Sequence, residues 1–382
     1  IMKKYCLKDV ADIFSGATPL TRNKHYYENG TIAWLTPKDL SGYTHKYIYS
    51  GQRNITEEAY RSCATNLLPK GAVLFSSRAP IGYVAIAGND LCTNQGFKSF
   101  VCKEKLLFNQ YLYYYLVKNR KKIEALGNGS TFKEVSRKTL ANYEIELPSI
   151  EVQKGIVKEL VMLDEKYEDN CNILTSIEKL IEYLYCKFYE NNERHYEELP
   201  LAEVIEIVTG GTPSTKNDTY WNNGMYYWYT PTDVTTTSTM VSLASEKKIS
   251  VSGLANSGAK LIPANSVIMT SRATIGEAVI NLSESTTNQG ILSLVPKDNR
   301  TTLLQIYFWV KHNKKLIASI ANGSTFKEIY KKDFERLLVN VQEEARLLFD
   351  EKTNKLFEFY VSLVKENNTI LELREKLLAT KF

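Results

Sequence analysis

"NGSTFKE" stands at residues 128–134 and again, letter for letter, at 322–328, so the two copies begin 194 residues apart. Other motifs keep that offset. "TNQG" at 93–96 returns at 287–290, and "SRAPIG" at 77–82 returns as "SRATIG" at 271–276. "WLTPKD" at 34–39 answers "WYTPTD" at 228–233, and "GATP" at 16–19 answers "GGTP" at 210–213. Even Lys187-Phe188 falls on Lys381-Phe382. One unit has been duplicated end to end, with no insertion needed to bring the copies into register. Repeats of roughly 20–50 residues make solenoids, because a single repeat cannot bury a core. A 194-residue unit is long enough to fold around its own core. Two similar domains, related as the subunits of a symmetric dimer would be, are therefore expected. A ligand with two similar parts is expected with them.

Composition narrows the class. With 382 residues, 43% hydrophobic and 24% charged, the chain reads as a soluble globular protein of two or three domains. No apolar run nears the ~18 residues of a membrane helix and no signal-peptide pattern opens the sequence, so no membrane association and a cytoplasmic location are expected. The six cysteines (Cys6, Cys63, Cys92, Cys102, Cys171, Cys186) form no CxxC pair, and none recurs at the 194-residue offset. A duplicated fold would have kept structural disulfides or zinc ligands in register, so free thiols in a reducing compartment are expected. The net charge of +5 is uneven: residues 1–148 carry +9 and 199–342 carry +3, whereas 149–198 carry −6 and 343–382 carry −1. Positive charge collects where a polyanion would be held, although an acidic helix alone makes its surroundings look basic.

Each unit opens with short β-rich runs such as "GAVLFSSRAPIGYVAIAG" (71–88), bounded by Gly, Asn and Pro as turn-linked strands are. "FNQYLYYYLVKNRKKIEAL" (108–126) and "LLQIYFWVKHNKKLIASI" (303–320) have helical spacing and stop near an Asn-Gly, with Tyr111, Tyr115, Ile123 and Leu126 as core contacts of the first. The tails differ from the bodies. Leu160, Tyr167, Leu174, Ile181 and Phe188 share one heptad position; Ile156, Leu163, Ile177 and Leu184 share the other, with Asn170 as a polar exception. The second tail carries Phe357, Val361, Val364, Leu371, Leu378 and Phe382 in equivalent places, with Asn368 in the seam. Its entry reads "LLVNVQEEAR" where the first copy has "YEIELPSIEVQ", so its start is less sharply marked. About forty residues of helix span about 60 Å. Two such helices in one chain most simply pack antiparallel, each running from its own domain to the other. The expected fold is α+β: two similar mixed α/β domains held apart by two long antiparallel coiled-coil helices. The expected segments are 1–148, 149–196, 197–342 and 343–382.

Enzymatic signatures are absent from the sequence. There is no GxxxxGK[ST] loop, no Gly-rich cofactor fingerprint and no HExxH, and the histidines (His25, His45, His195, His312) do not pair at the offset. The acids that do pair, Asp39/Asp233 and Glu134/Glu328, are single carboxylates without a nucleophile or partner acid. No catalytic and no metal-ligating residue is expected.

In order, GxTP, W-x-TP-x-D, S-R-A-x-I-G, TNQG and GSTFKE, each time followed by a long heptad helix, resemble the specificity (S) subunit of type I restriction–modification enzymes along essentially the whole chain. The resemblance implies two target-recognition domains that each read half of a bipartite double-stranded DNA sequence, with the helices as spacer. It also implies modification subunits that bind S-adenosylmethionine and methylate adenine, and a restriction subunit that uses ATP and Mg. No cofactor and no catalysis would belong to this chain. A self-sufficient DNA-modifying enzyme with diverged motifs, or an assembly adaptor, are the competing expectations.

If the two domains read different half-sites, residues identical in both cannot alone encode the difference. Arg78/Arg272, Lys133/Lys327 and Thr36/Thr230 then suit phosphate contacts or scaffold roles. Asn94-Gln95 and Asn288-Gln289 could each pair with adenine or bond their own backbone. Sequence-reading residues belong where the copies diverge: "LTRNKHYYENG" (20–30) against "STKNDTYWNNG" (214–224), and "LSGYTHKYIYSGQRN" (40–54) against "VTTTSTMVSLASEKK" (234–248). These windows offer Arg22, Lys24, His25, Lys46 and Arg53 in the first unit, and Lys216, Asn217, Thr235, Thr236, Lys247 and Lys248 in the second. Solvated variable loops would have the same composition.

Overall fold

The β-rich runs of the first repeat become ten short strands in a computed structural model that describes residues 2–78, 80–129, 133–190, 196–323 and 327–382. They are β1 (Lys3–Cys6), β2 (Ala11–Ser15), β3 (Ile32–Leu35), β4 (Tyr47–Ile48), β5 (Arg53–Ile55), β6 (Val73–Ser76), β7 (Val84–Ala87), β8 (Cys92–Thr93), β9 (Phe97–Cys102) and β10 (Glu144–Leu147). They form a five-stranded sheet in the order β2-β9-β6-β7-β4, a three-stranded sheet β5-β3-β8 and the pair β1-β10. Side chains alternate across a strand, and β6 uses both faces. Val73 and Phe75 pack with Leu112 and Leu116 of the helix Asn109–Lys118, while Leu74 packs with Leu35, Leu40 and Phe97 on the small-sheet side. Burial on both faces explains why "VLFS" reads as a continuous apolar run.

The second repeat builds the same object. Its strands are β11 (Glu197–Pro200), β12 (Ile205–Thr209), β13 (Tyr226–Tyr229), β14 (Val241–Ser242), β15 (Lys247–Ile249), β16 (Val267–Thr270), β17 (Ala278–Asn281), β18 (Ser285–Thr287), β19 (Ile291–Pro296) and β20 (Leu338–Val341). Their sheets run β12-β19-β16-β17-β14, β15-β13-β18 and β11-β20. Registers are conserved as well as order. Ile13 faces Phe100 as Ile207 faces Leu294, and Trp34 faces Arg53 as Trp228 faces Lys247.

Two long helices, Ile150–Tyr189 and Glu343–Lys381, follow the two bodies. The chain forms two compact units, Ile1–Asp169 with Thr369–Phe382, and Asn170–Asn368, so each unit contains a stretch of both helices. Within the first unit Asp164 meets Arg374 and Glu159 meets Lys381, which makes the pairing antiparallel. In the second unit Asn170 meets Asn367 while Phe188 and Tyr189 meet Phe349, again antiparallel.

The seam departs from the expected heptads: Val157, Tyr360 and Ile370 are buried where the less buried Ile156, Val361 and Leu371 were expected, and two polar positions depart as well. Asn170 is buried as expected, but its amide donates to Asn367 and Glu366, and Asn367, not Asn368, is the buried partner. Beside the partly buried Leu163, Asp164 is itself buried, because cations from the domain and from the second helix meet it there. A hydrophobic periodicity cannot register a buried charge whose partners lie over a hundred residues away.

Candidate nucleic-acid interface

The shared motifs contact one another within each domain. In the first unit GATP packs on TNQG: Ala17 N–H donates to the Thr93 carbonyl, and the Thr18 hydroxyl donates to Gln95 Oε1. A Cβ on Gly16 would lie 2.0 Å from the Thr93 oxygen, so only glycine allows this approach. The indole of Trp34 donates to the Ala17 carbonyl at 3.0 Å. The second unit repeats the arrangement with Gly210, Gly211, Thr212, Gln289 and Trp228. Asn94 and Asn288 each accept the N–H two residues on, from Gly96 and Gly290 at 2.9 Å, which is the backbone-bonding alternative for this dipeptide. Gln95 and Gln289 remain exposed, with their side-chain oxygens accepting from the threonine hydroxyls.

The paired acids are structural. Asp39 Oδ2 accepts from Thr36 N–H at 2.7 Å and from its hydroxyl, and Oδ1 accepts from Gln52 N–H at 2.8 Å. Asp233 does the same with Thr230 and Glu246. Each aspartate therefore ties the shared TP turn to the end of a divergent window. Glu134 pairs with Arg78 at 2.9 Å, and Glu328 with Arg272 at 2.7 Å. Backbone bonds join Asn128 to Glu134 and Asn322 to Glu328, next to these ion pairs. Lys133 and Lys327 are exposed beside those bonds, and the loop residues 130–132 and 324–326 lie outside the described set. In the first unit Thr36, Lys38, Arg78, Asn94 and Gln95 line an open cleft of ≈ 410 Å³.

The divergent windows converge through a cation–π pair. Arg53 sits over the Tyr27 ring at 5.8 Å, and Lys247 over Trp221 at 5.9 Å. Both pairs occupy equivalent positions, although neither residue type is shared. The aromatic of each pair also meets the tryptophan of its W-x-TP-x-D motif edge-on, Tyr27 with Trp34 and Trp221 with Trp228. Lys248 adds a second contact over Tyr227 at 4.3 Å. Arg22, Lys24, His25 and Lys216 are exposed on the neighbouring loops. Thr235 and Thr236 are exposed too, with hydroxyls that donate to the Thr232 carbonyl. Asn217 caps its turn by accepting from Thr219, as Asn23 does from His25, which leaves only its amide N–H₂ for a ligand.

Lys46 is a correction. It was expected in a DNA-reading loop, but its side chain is 2% exposed and its ammonium lies 3.4 Å from Asp164. Burial pushes its pKa down and Asp164 opposes the shift. His45 beside it bonds Glu168 at 2.6 Å, which holds its pKa up. The window 40–54 thus divides: its middle docks on the long helix, and only its last residues reach the cation–π pair. The polar-and-basic composition of a window does not reveal this split. What could have revealed it is the other repeat, where position 46 is answered by the buried Met240.

With this geometry in view, the similarities have a structural counterpart. A family model described as the type I restriction modification DNA specificity domain matches residues 2–179 and 193–341. The MjaIX type I restriction enzyme specificity subunit of Methanocaldococcus jannaschii is 37% identical over 238 residues, 57% of this chain and 54% of that one. The chain thus spans about half the length of that relative. The HindI specificity subunit of Haemophilus influenzae is 21% identical over 403 residues, 82% of this chain and 86% of its own. The crystal structure of the type I restriction–modification S subunit from M. genitalium superposes with a TM-score of 0.63 at 15% identity, covering 100% of this chain and 96% of that one, which shows a common fold. Matched in both of its repeats, the chain belongs to the family of type I restriction modification DNA specificity domains.

Proposed function

We propose that this protein is the DNA-recognition subunit of a type I modification and restriction complex, with each domain reading one half of a bipartite duplex target. The observation that carries the reading is the doubled interface. Identical groups (Arg78/Arg272, Gln95/Gln289, Lys133/Lys327) stand on a shared scaffold, and chemically different groups occupy equivalent places beside them. The identical groups suit phosphate contacts, which position without specifying; the differing ones suit base edges. Adenine methylation by S-adenosylmethionine-dependent modification subunits, and cleavage by an ATP- and Mg-dependent restriction subunit, would be supplied in trans, with no catalysis by this chain.

The test exchanges residues 20–55 for 214–249, in the intact chain co-expressed with modification subunits, and reads adenine methylation genome-wide. One half of the methylated motif should be replaced by a copy of the other, with the gap unchanged. Methylation of both original half-sites would overturn the assignment of the reading windows. Stoichiometric binding of labelled S-adenosylmethionine by the pure chain would instead favour a self-sufficient enzyme.

A further inference from the structure

In the second unit the long helix and the helix Leu303–His312 bring a thiol, an imidazole and a carboxylate together. Ligand atoms of Cys186, Glu190 and His312 all lie within 4.8 Å of one another. Cys186 and Glu190 are one helical turn apart, so their side chains leave the same face. His312 Nδ1 is 2.9 Å from Glu190 Oε1, and its other nitrogen, Nε2, is 3.0 Å from Glu182 Oε1. Glu182 is one further turn back on that face. A carboxylate on the far imidazole nitrogen is the arrangement that orients metal-bound histidines, because it fixes the proton on that nitrogen and frees the other lone pair. Charge argues the same way. Among the described residues in these ion pairs, Glu178, Glu182 and Glu190 bring three negative charges, against which Lys311 and His312 supply at most two positive ones.

We propose that Cys186, Glu190 and His312 Nδ1 form a divalent transition-metal site, zinc by preference, with Glu182 as the positioning residue behind the histidine and a fourth position left to solvent. Thiolate, imidazole and carboxylate together select a borderline-soft ion over calcium or magnesium. Tetrahedral zinc, at about 2.0 Å from N and O and about 2.3 Å from S, spaces its ligand atoms by about 3.3–3.6 Å. The His312–Glu190 contact must therefore open by about half an ångström, within reach of a side-chain rotation. On binding, Cys186 loses its proton to solvent and its sulfur donates to the ion. The ion then ties the long helix to the body of its domain. Neither CxxC nor HExxH spacing announces such a site, since His312 joins it only in the fold.

Cobalt(II) is the probe. Titrated into the full chain, it should give a thiolate-to-cobalt charge-transfer band that saturates at one equivalent and is displaced by zinc. Cys186→Ser should abolish the band, Cys171→Ser should leave it, and Glu182→Gln should weaken the affinity about tenfold or more. In the unmodified protein, zinc should protect Cys186 from alkylation while leaving Cys6 and Cys63 reactive, a readout that needs no variant to fold. No band at equivalence, a band that survives Cys186→Ser, or no protection of Cys186 would each overturn the site and leave His312 as a ring held between two glutamates.

Discussion

Removing the charge of Asp164 should open the first unit while leaving the second untouched. Asp164 is 8% exposed and faces three groups: Lys46 at 3.4 Å, Arg374 at 2.8 Å and the hydroxyl of Tyr114. Asp164→Leu would leave Lys46, itself 2% exposed, without an anion, and would deprive Tyr114 of its acceptor. Breaking one side of a buried pair costs about 3–5 kcal/mol. Lys46→Met copies what the other repeat has at Met240 and leaves Asp164 with Arg374 and Tyr114, so about 1 kcal/mol is expected. The double variant should recover much of the Asp164→Leu loss, because the orphaned ammonium is gone; Arg374, 19% exposed, can turn to water. Native-state hydrogen exchange is the assay, since a chain of two units need not unfold in one step. Amides of Asn109–Lys118 should lose protection by about two to three and a half orders of magnitude in Asp164→Leu, while those of Leu303–His312 keep theirs. Equal loss in both helices, or a loss of less than tenfold, would refute the argument that this cluster is a local, buried ionic lock.

Three further outcomes follow from the same geometry. Gly16→Ala and Gly210→Ala each drive a methyl group into a backbone oxygen, at 2.0 Å and 2.2 Å, and should cost about 1–3 kcal/mol or more, lowering the melting temperature of the affected unit. Arg78→Ala should weaken duplex binding by the assembled complex for all sequences alike and reduce the slope of log K against log salt by about 1; selective relaxation at one base position would count against a phosphate role. His45 has a raised folded pKa because Glu168 bonds its protonated form, so its stabilisation is fully present below the unfolded value of 6.5 and is lost as pH rises through the folded value. His45→Gln should flatten that decline, measured by urea denaturation on the alkaline side of pH 6.5.

The duplication made the two-domain fold legible, because offset-locked motifs need no structure to be seen. Both long helices were legible from their periodicity, and Asn170 as a buried polar residue was legible from its place in the seam. What stayed hidden was every partnership between distant residues. Asp164 sits one residue from a seam leucine and looks like a solvated charge until Lys46 and Arg374 are placed against it. Similarly, Glu134 and Glu328 look like unexplained paired acids until each is placed against an arginine. Comparing the repeats position by position extracts more than either alone. Met240 opposite Lys46 exposes a buried site, and Lys247 opposite Arg53 exposes a preserved contact.

That comparison separates two kinds of divergence between the copies. Where a buried position changes character, as from Lys46 to Met240, its neighbours change with it: Tyr114 becomes Phe308, and the Met240 N–H takes the hydroxyl of Tyr360. Such changes are coupled, because an unpaired buried charge or donor is costly. Where an exposed position changes, as from Arg22 to Lys216 or from Lys24 to Asp218, no packing partner needs to follow. The cation–π pair lies between these cases, with cation and aromatic both replaced but their contact retained at 5.8 Å and 5.9 Å. It holds the tip of one window against the strand of the other while leaving the rest of each free to vary. On the proposed reading, this is how one scaffold can carry two specificities: the coupled positions set where the loops stand, and the uncoupled ones set what they contact.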